Sequence, residues 1–166
     1  MSISDMSSGG RYLNSTEKTL SLQGINASAA VLYDPDVVLY AMYASIGECC
    51  IAVGRVASSQ AILGITTGRK LNREFLYHLL TFMRPRVREM GQQGTQSNLN
   101  AGMVRNFDIV LPSLTEQKTI AEVLGDIDAE LEALDTQLVG IRAVKQGMMQ
   151  ELLTGRTRLK TVEVSA

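Results

Sequence analysis

The sequence is poor in the residues that usually announce chemistry. It has two cysteines, one histidine and three prolines in 166 residues. Cys49 and Cys50 are neighbours inside the apolar run Ile46–Val56, and adjacent cysteines neither close a good disulfide nor make a metal site. They are expected to be small buried residues of a protein kept in a reducing compartment. The single histidine, His78, has no carboxylate or nucleophile nearby in sequence to make it a general base, so a structural role is expected of it. The first twenty residues lack the apolar stretch of a secretion signal, and no apolar run reaches the length of about 18 residues that a membrane span needs. A soluble, cytoplasmic protein is expected. Phosphate-binding glycine loops, a nucleophile elbow, metal-ligand spacings and a dinucleotide fingerprint are all missing. Asp36 with Glu116 and Lys118 superficially resembles a nuclease set, but the last two sit in the first turn of a helix and point to different sides. No catalytic residue, metal or cofactor is expected.

Net charge is also scarce, at −1, but the charges are unevenly distributed. Thr66–Asn106 holds seven Lys or Arg against two Glu, Phe107–Asp135 holds eight acidic residues against Lys118, and Arg142–Lys160 returns to a balance of +4. A length of 166 residues suits one domain and an appendage. Met1–Gly24 reads as a loop-rich entry. The segment Ala29–Ile65 is dense in apolar residues broken by turn signals such as Asp34-Pro35-Asp36. It predicts three or four short strands (31–33, 37–43, 51–56 and 61–65), buried on both faces because the runs barely alternate. Asn72 predicts a helix start, with Phe75, Leu76, Leu79, Leu80 and Met83 on one face and Pro85 bending or ending it. A strand is expected over 107–111, stopped by Pro112.

Between them lies Met90–Asn100, MGQQGTQSNLN, too polar for a core element and too long for a tight turn. It reads as a solvated loop or, more sharply, as a recognition loop, since Gln and Asn can hydrogen-bond adenine edges and Ser or Thr can reach bases and phosphates.

From Ser113 the period changes. Ile120, Leu124, Ile127, Leu131, Leu134, Leu138, Ile141, Lys145, Met148 and Leu152 recur at alternating spacings of four and three, the seam of a coiled coil. Ser113 with Glu116 can form a capping box, Thr115 is a rival cap, and Gly155 offers a stop. At about 1.5 Å per residue the helix is roughly 60 Å long, more than a small domain needs for its own core. Gly125, Gly140 and Gly147 lie off the seam and each costs about 1 kcal/mol, so the helix must lean on a partner. Its N-terminal half is acidic and its C-terminal half basic, which favours antiparallel pairing of two copies. The fold class is therefore α+β: a small mixed domain over 1–112, a long coiled-coil helix over 113–155 and a tail over 156–166.

Several stretches, in order, resemble the specificity subunits of type I restriction-modification systems. They are GRYLNSTEKTLSLQGINASAAVL (10–32), YASIGECCIA (43–52), the Ser-Gln-Ala of 59–61, FLYHLL (75–80), GTQSNLN (94–100), LPSLTEQKTIAEVL (111–124) and the closing KQGMMQELLTGRTRL (145–159). The resemblance covers nearly the whole chain, and its most specific parts are the Leu-Pro to Glu-Gln-Lys join and the Leu-Leu-Thr-Gly-Arg end. It implies a non-catalytic subunit that reads double-stranded DNA through a target-recognition domain. The long helix would serve as spacer, as self-association surface and as dock for DNA methyltransferase subunits, and through them for a restriction and translocase subunit. One recognition domain and one helix are present, and a family domain normally has a further segment ahead of the Gly10 stretch. That leaves open a half-subunit, a truncated fragment or a coiled-coil assembly protein that no longer reads DNA. The expected DNA contacts are Arg69, Lys70, Arg73, Arg84, Arg86, Arg88 and Arg105 for phosphates, with Gln92, Gln93, Thr95, Gln96, Ser97 and Asn98 for bases. The seam residues other than Lys145 are the expected dimer interface.

Overall fold

The computed structural model describes residues 1–8, 10–92 and 98–160. Elements follow in the order α1 (Ile3–Ser8), β1 (Tyr12–Leu13), α2 (Leu22–Asn26), β2 (Val31–Tyr33), β3 (Val38–Ala41), β4 (Cys49–Ala52), β5 (Val56–Ser58), β6 (Ile62–Ile65), α3 (Arg73–Gln92), α4 (Ala101–Arg105) and α5 (Leu114–Leu153). Met1–Glu122 forms one compact unit and Val123–Ala166 another.

The first unit is built on a four-stranded sheet, ordered β1-β4-β3-β6. β3 runs antiparallel to both β4 and β6, while β1 joins β4 in parallel. Every residue of β3 and β4 is buried, which is why these strands read as unbroken apolar runs. Successive side chains of a strand point to opposite faces. Val38, Tyr40, Cys49 and Ile51 accordingly pack with Leu76, Leu80 and Val87 of α3, together with Leu99 and Val104. Leu39, Ala41, Cys50 and Ala52 face the other way, against Met6 of α1, Leu13, Val37, Val56 and Ile62. The two cysteines therefore lie on opposite faces, both free and buried. Burial pushes the Cys50 thiol up to about 12, and it raises Cys49 as well against the hydrogen bond from Thr81. Both stay protonated near neutrality and are poor nucleophiles.

A separate two-stranded sheet pairs β2 with β5 antiparallel. Tyr33 of β2 reaches back to the main sheet, its hydroxyl donating to the Ile62 carbonyl at 3.0 Å. Its ring lies so close to Gly64 that a Cβ there would meet ring carbon at 2.3 Å.

Two expectations change and a third, that Pro85 bends or ends α3, narrows. The entry segment is not all loop. α1 is tied down by Asp5, whose carboxylate accepts the Ser2 amide, the Ser2 hydroxyl and the Glu17 amide at 2.6, 2.7 and 2.9 Å, and β1 takes a place at the sheet edge. Such short elements depend on tertiary contacts and leave no period in the sequence. Pro85 does not end α3, which runs on to Gln92. An interior proline costs a helix about 3 kcal/mol, and here the second half is held from outside: Val87 is 1% exposed, and Arg84 and Arg88 are bonded to the β3–β4 turn. Residues 107–113 form no strand. Phe107 instead stands edge-on to Tyr40, with ring centres 6.4 Å apart, and Val110 and Leu111 are exposed.

Both long helices begin as their capping residues dictate. The Asn72 side chain accepts the Phe75 amide at 2.9 Å, and the Ser113 hydroxyl accepts the Glu116 amide at 3.3 Å. At the far end, Gly155 takes a φ of 73°, the left-handed conformation that closes a helix at low cost, and its amide bonds the Leu152 carbonyl. Among the described residues no helix is long and apolar enough to cross a membrane.

Candidate nucleic-acid interface

Six of the seven expected phosphate contacts fall into two groups along α3 and the turn ahead of it, and the seventh, Arg105, lies on α4. Arg69 and Lys70 occupy the turn ahead of α3, closed by the Leu71 amide on the Gly68 carbonyl at 3.2 Å, and both are exposed. Arg73 opens the helix. Arg84, Arg86 and Arg88 lie on its second half, roughly 20 Å further along the axis at 1.5 Å per residue.

Members of each group differ in how much charge they have to offer. Arg73 is paired with Asp36 and with Glu74, the latter at 2.6 Å. Arg84 is paired with Glu48 at 2.5 Å, and that carboxylate also accepts the Ser7 hydroxyl. Burial works against an ionised Glu48, but the bonds from Ser7 and Arg84 outweigh it and hold its carboxyl below the usual range. Arg88 is exposed and donates from Nε to the Ile46 carbonyl at 3.2 Å. Arg69, Lys70, Arg86 and Arg105 are exposed, and none of them forms an ion pair among the described residues. A phosphate meeting these four need not displace a carboxylate; at Arg73 and Arg84 it must compete with one.

The polar loop is anchored at both ends. Gln92 closes α3; Gln93, Thr95, Gln96 and Ser97 lie outside the described residues. Asn98 is exposed. Leu99 is 1% exposed, and its amide bonds the Met42 carbonyl at 3.0 Å. Asn100 caps α4 by accepting the Met103 amide at 3.0 Å. The second half of α3, the β3–β4 turn and the loop's return at 98–100 therefore converge, since Met42, Ile46 and Glu48 of that turn take bonds from Leu99, Arg88 and Arg84. In the same turn Ala44 holds a φ of 55°, which disfavours L-residues. α4 carries Arg105 in its last turn.

Sequence reasoning did not find two groups that set this surface. One centres on Glu74, which accepts Arg11 through Nε and Nη2 at 3.0 and 2.5 Å, the Tyr12 hydroxyl at 3.2 Å, and Arg73. Burial disfavours its charge, but the bonds from Arg11 and Arg73 prevail and lower its pKa. The other is Gln117, a polar residue only 1% exposed. Glu74 is disguised by an ordinary helix-start composition, and Gln117 by the polar first turn around it. The nuclease-like set does not assemble: Asp36 is bound to Arg73, Glu116 is exposed, and no group of three His, Cys, Asp or Glu among the described residues could hold a metal ion.

In the second unit the seam is exposed. Leu124, Ile127, Leu131, Leu134, Leu138, Ile141 and Met148 are between 38% and 58% exposed. Near its end Ile141, Val144, Met148, Met149, Leu152 and Leu153 line an apolar groove.

Residues 4–139 match the family described as type I restriction modification DNA specificity domain. Among curated relatives, the type I restriction enzyme MjaVIII specificity subunit of Methanocaldococcus jannaschii is 30% identical over 141 residues, which is 80% of this chain and 33% of that protein. A putative MjaX specificity subunit of the same organism is 28% identical over 129 residues, 77% of this chain and 30% of the relative. The EcoDI specificity subunit of Escherichia coli is 32% identical over 81 residues, 49% of this chain and 18% of the relative. A solved chain from a study of assembly and conformational transition in a type I restriction-modification system superposes with a TM-score of 0.60 at 20% identity, covering 72% of this chain and 31% of its own length. The HsdS subunit of Thermoanaerobacter tengcongensis gives 0.56 at 19%, with coverages of 72% and 30%. At such identities the structural likeness concerns the fold. The chain spans about a third or less of each of these proteins.

Proposed function

This chain belongs to the type I restriction-modification DNA specificity family, and we propose that it acts as a sequence-reading DNA-binding subunit directing methylation and cleavage performed by other chains. The observation that carries this reading is the set of exposed cations that form no ion pair among the described residues, Arg69, Lys70, Arg86 and Arg105, placed on either side of the polar loop in the sequence. Phosphates supply affinity through such cations, and the amide and hydroxyl groups of residues 92–98 supply discrimination. The test is DNA retention by the full chain together with its methyltransferase, and mapping of modified adenines in cells that carry both. Sequence-selective retention should fall with salt at a log–log slope of about −4 if the four cations each meet one phosphate. Retention of the methyltransferase with no selective hold on any duplex would favour an assembly protein that does not read DNA.

Within this reading the seam of α5 takes a second copy of the chain, antiparallel. One register covers all ten seam residues. It sets Ile120 on Leu152 of the second copy, Leu124 on Met148, Ile127 on Lys145, Leu131 on Ile141 and Leu134 on Leu138. It also places Asp128 opposite Arg142 twice, against one like-charge contact of Asp135 with its own copy. Shifting by a heptad in either direction strands apolar seam residues at an end. Ile120→Cys with Leu152→Cys should cross-link between copies while Ile120→Cys alone does not; the native thiols are buried and do not compete. Cross-linking by Ile120→Cys alone would indicate parallel pairing.

A further inference from the structure

Gln117 sits in the first turn of α5 with its whole amide committed to backbone. Nε2 donates to the Lys70 carbonyl at 3.0 Å and to the Pro112 carbonyl at 2.9 Å. Oε1 accepts the Asn72 amide at 2.8 Å. A side-chain amide has two donors and one acceptor oxygen, so no donor is left over. The three segments it joins share no strand pairing: the turn bearing Arg69 and Lys70, the capping residue of α3, and the chain entering α5. Asn72 completes the junction. Its side chain caps α3 at Phe75, its carbonyl accepts the Leu76 amide at 3.0 Å, and its own amide is held by Gln117. One buried side chain thus stands where a strand's hydrogen bonds would otherwise be needed.

We infer that Gln117 is a positioning residue that locks the first turn of α5 to the turn bearing Arg69 and Lys70 and to the start of α3, so that these two cations are held in place for phosphate. Its contribution beyond stability is to hold that turn. Without it the packing of Ala121, 5% exposed, still keeps the first turns of α5 in the first unit, but three backbone groups lose their partner and the turn loosens. Leucine fills the same volume and leaves two carbonyls and one amide unmet. Glutamate keeps the acceptor for Asn72 but turns an oxygen toward two carbonyl oxygens, so it loosens the junction at least as much. The lock rests on the DNA-reading function only where it concerns phosphate contact; the lock itself is measurable without DNA.

The experiment places spin labels at Arg69→Cys and Glu122→Cys in the full chain, both positions being exposed and within the first unit, and measures the distribution of distances between the two labels within one chain, diluted with unlabelled protein. Gln117→Leu and Gln117→Glu should broaden that distribution, and Leu80→Ala, which weakens the core without touching the junction, should not. An unchanged width in folded Gln117→Leu, or equal broadening in Leu80→Ala, overturns the lock. The Gln117 and Leu80 variants, without labels, are then compared with the methyltransferase for retention of a duplex carrying the mapped motif as salt is raised. The log–log salt slope should become shallower by about 2 in Gln117→Leu, the share of Arg69 and Lys70, and hold in Leu80→Ala. Broadening together with an unchanged slope overturns the link to DNA. Absence of any mapped motif in the unmodified protein overturns the DNA-reading function, and the lock then stands or falls on the label distances.

Discussion

Leu39 in β3 and Leu131 in α5 are the same residue in opposite situations. The first is 0% exposed in a strand buried on both faces; the second is 56% exposed on the seam of a long helix. The sheet satisfies its apolar residues from within the chain, whereas the helix beyond Glu122 displays its own at the spacing of a coiled-coil seam. On the pairing proposed above, one region is finished by folding and the other by association. Substituting each leucine by alanine is the sharpest way to break this contrast. Leu39→Ala should cost about 2–5 kcal/mol, through lost burial and a residual cavity, at every protein concentration. Leu131→Ala should leave unfolding of the first unit unchanged and weaken self-association, so its effect appears as a shift with dilution. Denaturant melts at two concentrations separated a hundredfold decide it. Equal, concentration-independent losses would mean the seam is not an interface.

The same contrast explains how much could be read from sequence. β3 and β4 were legible because burial on both faces turns them into unbroken apolar runs, and α5 because ten seam positions repeat without a skip. α1 and β1 left no such trace, because six and two residues are too few to show a period and depend on Asp5 and the edge of β4. The run 107–111 imitates a strand, but an apolar run alone supplies no neighbour to pair with, and Phe107 goes to Tyr40 instead. Among the cations, composition marked the basic stretch and could not tell Arg86 from Arg84. That difference depends on Glu48, thirty-six residues away along the chain from Arg84. Gln117 was visible only as part of a family-like string; its burial follows from three carbonyl and amide partners that no local pattern encodes.

A second prediction concerns the charge held inside the finished region. Glu74 receives Arg11, Tyr12 and Arg73 while its side chain is only 18% exposed. Its folded pKa lies below the ordinary 4.5, so the unfolded state binds the proton more readily. The stability Glu74 supplies is complete above its unfolded value and is lost as pH falls through the lowered folded value. Glu74→Gln keeps the size and removes the charge. It should destabilise by roughly 1.5–3 kcal/mol at neutral pH, the range for hydrogen bonds to a charged group, and flatten the acid limb of a stability–pH curve. An acid limb unchanged by Glu74→Gln would assign acid sensitivity to Glu48 or Asp5 instead, whose carboxyls are also lowered.

The smallest effects on folding are expected at the residues proposed to meet phosphate. Arg69, Lys70, Arg86 and Arg105 are exposed and form no ion pair among the described residues, so single alanines should change stability by no more than about 0.5 kcal/mol. On DNA each should lower affinity across all sequences and reduce the salt slope by about 1. Arg73→Ala and Arg84→Ala invert that pattern. Arg73→Ala takes one partner from Glu74, which keeps Arg11, and Arg84→Ala leaves Glu48 with the Ser7 hydroxyl and no cation among the described residues; both should destabilise the first unit, with less change of salt slope, because their charge is already shared with a carboxylate. Asn98→Ala should leave the slope alone and alter preference among sequences, since an amide carries no charge to exchange for counterions. If Arg73→Ala reduced the slope as much as Arg69→Ala, the ion pair with Glu74 would have to open on DNA, and the division between cations that hold the fold and cations that meet phosphate would fail at the first turn of α3.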